Sequence, residues 1–225
     1  MEALKRGARR VAARLARRIY AFMHDAVERD LPAFANAPKN LRIELPRRIA
    51  SPECFWFGDD VNIGPGSFLV GQTRYPSEVM RHPEHEQRMQ RFEPRVVIGH
   101  RVTVTGGLTL AALRSITIED DVMIAGNVFI SDGSHGFDNI DVPYKYQPMT
   151  RIAAVTIKRG CWIGQNVAIM PGVTVGEMAI IGANSVVTRD VPARSIIAGS
   201  PARVLKQWDA ATHTWVPQRE RVVME

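Results

Sequence analysis

Apolar residues recur at every sixth position through most of this chain, and no other feature restricts its fold as tightly. Ile157, Ile163, Ile169, Val175, Ile181 and Val187 hold that phase without a gap. Shorter runs hold it upstream: Phe57, Ile63 and Leu69, then Ile98, Val104 and Leu110, then Ile118, Ile124 and Ile130. A period of six fits neither a helix face nor a simple alternating strand. It suits a solenoid in which each short strand sends one aliphatic inward and Gly or Asn makes the turn that follows. Small residues do follow, as in Ile63-Gly64, Ile98-Gly99, Ile163-Gly164 and Ile181-Gly182. Three such steps make one coil of a prism. Five coils are expected, at 57–74, 98–115, 118–135, 157–174 and 175–192.

The period divides the chain. An all-β solenoid domain is expected over 57–207, with two loop excursions, 75–97 and 133–155, where the phase is lost. Insertions in solenoids emerge on one face and often build the binding surface. Residues 31–56, with Pro32, Pro38, Pro46 and Pro52, read as a connecting segment, and 208–225 as a C-terminal tail.

Residues 1–30 read as a basic amphipathic helix. Leu4, Ala8, Val11, Leu15, Ile19, Phe22 and Ala26 fall at steps of three and four. Residues 1–20 hold seven basic side chains against Glu2 alone, so they carry the whole net charge of +6, and the rest balances 22 against 22. The stripe either packs on the protein or a neighbouring subunit, or lies on an anionic membrane surface. A neutral body without a reading module argues against nucleic acid. Two cysteines, Cys54 and Cys161, are too few for a disulfide framework. Arginines stand where a secretory signal needs its apolar region, so a cytoplasmic protein is expected, held by the helix at the inner membrane face under the second reading.

The C-terminal third resembles the hexapeptide-repeat acyltransferases of the sugar and polysaccharide O-acetyltransferase type. The resemblance rests on Trp162-Ile163-Gly164, Pro171-Gly172-Val173, Gly182-Ala183, Val187-Thr188-Arg189-Asp190-Val191-Pro192 and Ala198-Gly199-Ser200-Pro201-Ala202-Arg203-Val204. Upstream, Ile130-Ser131-Asp132 with His135, Pro143 and Gln147 resembles the family's catalytic loop. The resemblance implies a left-handed parallel β-helix, a homotrimer with sites at subunit boundaries, and transfer of acetyl from acetyl-CoA to a carbohydrate hydroxyl, with no metal.

On these residues the chemistry can be rebuilt. A sugar hydroxyl needs a base as it attacks a thioester, and an imidazole titrating near neutrality suits the task. That assigns His135 as base, with Asp132 or Asp138 holding its other ring nitrogen, Asp132 being nearer the matched motif. Galactoside-type relatives carry a hydroxyl just after Trp-Ile-Gly. Here Gln165 stands there, so its amide or a backbone N–H is the expected oxyanion donor, with Asn127 a further acceptor-site candidate. Trp162, Gly164, Ala183, Thr188, Arg189 and Arg203 are implied to bind CoA.

Alternatives stay open. The acceptor can instead be an antibiotic, an amino sugar or serine, and a non-catalytic β-helix scaffold would leave His135 dispensable. His82-Pro-Glu-His85 offers too few ligands for zinc. A carbonic anhydrase of this fold needs three histidines from neighbouring coils, and the repeat region holds only His100 and His135.

Overall fold

A computed structural model describes residues 2–84 and 87–218, without the side chains of residues 2–8 and 24. The chain divides between Pro32 and Ala33 into two units. The first is the helix Glu2–Arg29. Val11, Leu15, Ile19 and Phe22 of its apolar stripe are exposed. Leu4 and Ala8 of that stripe lie outside the described side chains.

The second unit is a solenoid of three parallel sheets. The first face stacks Arg42–Ile43, Asn62–Ile63, Thr103–Val104, Met123–Ile124, Trp162–Ile163, Ile180–Ile181 and Ser195–Gly199. The second stacks Arg47–Ala50, Ser67–Gly71, Thr109–Ala112, Phe129–Ser131, Ala168–Ile169 and Val186–Val187. The third stacks Phe55–Phe57, Arg95–Ile98, Ser115–Ile118, Val155–Ile157 and Thr174–Val175.

Register explains the period. Ile43, Ile63, Val104, Ile124, Ile163, Ile181 and Ile197 are successive partners on the first face. Leu69, Leu110, Ile130, Ile169 and Val187 align on the second, and Phe57, Ile98, Ile118, Ile157 and Val175 on the third. All of these side chains are buried. Each contributes about 1.5–3 kcal/mol by leaving water, so the three ladders are the core.

Turns are ladders too. Where the first face bends into the second, Gly66, Gly107, Asn127, Asn166 and Asn184 all have positive φ. Asn tolerates that conformation better than most residues because its short polar side chain bonds locally. Asn166 Nδ2 donates to Asn184 Oδ1 at 3.0 Å, and Asn127 Nδ2 to Asn166 Oδ1 at 3.3 Å.

Three boundaries differ from the sequence expectation. The segment 31–56 is not mere connection: Arg42–Ile43 and Arg47–Ala50 already belong to the sheets. A 3-10 turn at Pro52–Cys54 lengthens the step from Ile49 to Phe57, which hides the phase. The excursions occupy 72–94 and 132–154, because buried Val96 and Val155 already pair as third-face strands. The tail folds back as well. Ala202–Asp209 and Thr214–Pro217 add antiparallel to the first face, with Trp208 and Trp215 opposed at a ring distance of 5.3 Å. Residues 219–225 lie outside the described part.

Candidate functional site

Both excursions leave the corner between the second and third faces. The first departs after Ser67–Gly71 and the second after Phe129–Ser131, and in the stack Thr109–Ala112 lies between them. That middle coil turns tightly through Leu113 and Arg114 before Ser115–Ile118.

Asp132 secures this turn. Its carboxylate is wholly buried, with Oδ1 accepting the Leu113 N–H at 2.7 Å and Oδ2 those of Arg114 and Ser115 at 2.7 and 2.6 Å. Its carbonyl accepts the Ala153 N–H at 2.8 Å, pinning the far end of the excursion. The expectation that Asp132 orients His135 is therefore corrected. Three backbone donors left over by a tight corner attract the carboxylate more strongly than an exposed imidazole can. Asp138 is also engaged elsewhere: it pairs with Arg151 at 3.3 Å, whose guanidinium lies 3.5 Å from the Phe137 ring centroid.

His135 stands on a short hairpin, where Ser134–His135 pairs antiparallel with Met149–Thr150. Its side chain is exposed. The ring it meets is Tyr75, in an edge-type contact at 5.2 Å, from the first excursion. Tyr75 is buried, its hydroxyl donates to the Lys145 carbonyl, and burial raises its pKa. Sequence reading missed this neighbour, although Tyr75 is the first residue of the broken phase. On the same hairpin, the register partners Ser134 and Thr150 have buried hydroxyls with no hydrogen-bond partner among the described residues.

The two excursions form one body. Tyr75, Leu113 and Met149 make a buried cluster joined by Met80, Phe92 and Ile152. Gln90 clasps Met149, receiving its N–H at 2.7 Å and donating to its carbonyl at 3.0 Å. Gln87 Nε2 donates to the Tyr146 carbonyl at 2.8 Å. Within the second excursion, buried Gln147 donates to the carbonyls of Asn139 and Val142 at 2.6 and 2.8 Å, which fixes the loop tip. His82 packs on Tyr146 at 4.5 Å, while His85 lies outside the described residues. His100 Nδ1 accepts the Asp59 N–H at 2.9 Å, a turn contact.

The remaining candidates fall at separate places on the prism. Trp162 is 47% exposed on the first face, between Met123 and Ile180. That face lies opposite the corner bearing His135, so one chain does not bring the two together. Gln165 and Ala183 are exposed where the first face bends into the second, in the turns that also hold Asn166 and Asn184. Asn127 occupies the same ladder, so its side chain serves the turn first. Gly164 is explained by packing alone: a Cβ there would meet the Ala183 nitrogen at 2.6 Å and the Ile181 carbonyl oxygen at 2.7 Å. Thr188 and Arg189 are exposed at the His135 corner, in a later coil. Arg203 sits on the antiparallel strand, its guanidinium donating to the Ala202 carbonyl at 2.9 Å.

Residues 154–189 match the bacterial transferase hexapeptide (six repeats) family. A putative acetyltransferase of Schizosaccharomyces pombe is 30% identical over 156 residues, covering 67% of this chain and 74% of that protein. The chain belongs to the hexapeptide-repeat transferases. A putative lipopolysaccharide biosynthesis O-acetyl transferase, WbbJ, of Escherichia coli is 34% identical over 126 residues, 53% of this chain. The match spans 64% of that relative's length. Among solved structures, AntD, an N-acyltransferase from Bacillus cereus in complex with dTDP and 3-hydroxybutyryl-CoA, shares the fold. It aligns at a TM-score of 0.62 with 21% identity, over 80% of this chain and 86% of that one.

Proposed function

We propose that the protein is an acetyl-CoA-dependent O-acetyltransferase for a sugar hydroxyl of a glycan or glycan precursor, with His135 as general base. The observation that carries the reading is the placement of His135: exposed, on a hairpin braced by the first excursion, in a chain of the hexapeptide-repeat transferases. His135 takes the hydroxyl proton as the sugar oxygen bonds to the thioester carbonyl carbon. Gln165, or a backbone N–H beside it, donates to the resulting oxyanion. When the carbon–sulfur bond breaks, His135 returns the proton to the departing sulfur. No covalent enzyme intermediate is needed.

The site is completed between subunits of a homotrimer whose solenoids are left-handed. His135 and Trp162 occupy opposite sides of the prism, so a neighbour's first face supplies the wall that this chain's His135 corner lacks. Trp162 and Ala183 line the donor's pantetheine arm, and Thr188, Arg189 and Arg203 meet its phosphates. The helix Glu2–Arg29 either braces a neighbouring subunit or rests on an anionic membrane surface, its apolar stripe and arginines suiting both.

Thiol release from acetyl-CoA with a panel of sugars, comparing the natural protein with His135→Ala, tests the reading. Activity confined to the unsubstituted chain is the expected result. Failure of acetyl-CoA to bind in calorimetry would sink it.

A further inference from the structure

The two excursions enclose a cleft of about 650 Å³, walled in part by Tyr75, whose ring also meets His135. This lies within the range, roughly 300–1,000 Å³, of sites that hold small ligands. Tyr75, Phe92 and Tyr146 give it aromatic walls, and among the described residues its charged lining side chains are Arg88 and Arg91, with no carboxylate. Both arginines are exposed, and neither meets a carboxylate within 4 Å among the described residues.

A further cation, Arg74, stands beside Arg91 just outside the lining. Arg91 and Arg74 are direct register partners in the antiparallel pair Arg74–Tyr75 and Gln90–Arg91. Like charges placed opposite one another in such a pair repel, which is unfavourable unless an anion joins them. One wall residue already holds a cation: the Lys145 ammonium lies 4.6 Å from the Tyr146 ring centroid. Aromatic faces beside exposed guanidinium groups suit a sugar that carries negative charge, since guanidinium binds phosphate and carboxylate alike in bidentate fashion.

From these contacts we infer that the cleft between the excursions is an acceptor subsite for a sugar bearing phosphate or carboxylate, its charge held by Arg88 and Arg91. The inference rests on reading the chain as a sugar acetyltransferase, and it narrows the acceptor to acidic glycans or sugar phosphates. Tyr75 links the two places: its ring walls the cleft and packs against His135.

Calorimetry on the full chain without acetyl-CoA, at low and high salt, tests this with three probes: UDP-glucose, trigalacturonic acid and maltotriose. At least one anionic probe should bind ten or more times tighter than neutral maltotriose, and salt should erode the difference. Which of the two binds distinguishes phosphate from carboxylate. Arg88→Gln/Arg91→Gln should lose that preference by about tenfold or more, as expected for removing charge-assisted hydrogen bonds. Arg81→Gln, on the same excursion but outside the lining, should keep it. An unchanged thermal midpoint for each variant shows that the fold survives. Equal affinity for all three probes, no binding of any, or full affinity in the double variant would overturn the subsite. Acetyl-CoA binding is measured separately: its absence defeats the transferase reading while leaving the anion result intact.

Discussion

The Asp132 carboxylate accepts the backbone N–H of Ser115 at 2.6 Å, across the corner from which the His135 excursion departs. With the bonds to Leu113 and Arg114, this buried group closes the turn. Charge-assisted hydrogen bonds contribute about 1.5–3 kcal/mol each, and orphaned buried donors cost more. Asp132→Ala should therefore lower unfolding free energy by about 3 kcal/mol or more. Asp132→Asn should recover only part, since its amide presents N–H to a donor. Urea unfolding with an unchanged m-value measures both. A loss below about 1 kcal/mol for the alanine variant would show that these bonds do not secure the corner.

The hydroxyls of Ser134 and Thr150 sit buried on the hairpin that carries His135, with no hydrogen-bond partner among the described residues. A buried hydroxyl without a partner costs roughly 1–3 kcal/mol. Thr150→Val keeps the shape and removes that cost, so it should raise stability by about 1 kcal/mol. A drop of the same size would reveal that an ordered water or ligand group bonds the threonine.

How much of this was readable in advance depends on range. The ladders of Ile163 and Ile169 were legible because each coil repeats the same local demand, and six phases in a row leave one architecture. The coil at Ile43 was not, because the turn at Pro52–Cys54 shifts the phase beyond what a fixed period can follow. His135 announced itself by position, whereas Tyr75 reaches it from a distant, aperiodic loop. The error over Asp132 has the same origin. Proximity in sequence suggested the imidazole, but stacking brought three backbone amides from the preceding coil.

Tyr75 is assigned as a positioning residue. Tyr75→Phe keeps the ring against His135 and loses the bond to the Lys145 carbonyl. Tyr75→Leu loses both. The expected outcome is a small fall in kcat for phenylalanine, a fall of about tenfold or more for leucine, and an altered pH profile only for leucine. A purely structural tyrosine would lower the thermal midpoint in both variants without changing the pH profile of the remaining activity.

Cys161 is buried, its thiol donates to the Gly176 carbonyl at 3.0 Å, and desolvation pushes its pKa up to about 11. The folded protein thus holds the proton more tightly than the unfolded chain, whose thiol titrates near 9.0. That contribution is complete below about pH 9 and is lost as pH rises toward about 11. Denaturation midpoints should fall across this window in the natural protein and less in Cys161→Ala, after allowing for the latter's lower starting stability. At about pH 8 an aromatic disulfide reagent should label Cys161 only after denaturant is added.

Trp162 and His135 lie on opposite sides of one prism, so the proposed trimer can be tested by complementation. His135→Ala and Trp162→Ala should each be nearly inactive alone. If each site combines one chain's His135 corner with the neighbour's first face, mixed trimers regain sites in which both groups are intact. At equal amounts with random assembly, half the corners carry histidine and half of their neighbours carry tryptophan, so about one quarter of natural activity should return. Co-expression with two different affinity tags and a thiol-release assay reads the recovery. No recovery from mixed trimers that demonstrably contain both chains would show that His135 and a neighbour's Trp162 do not share a site.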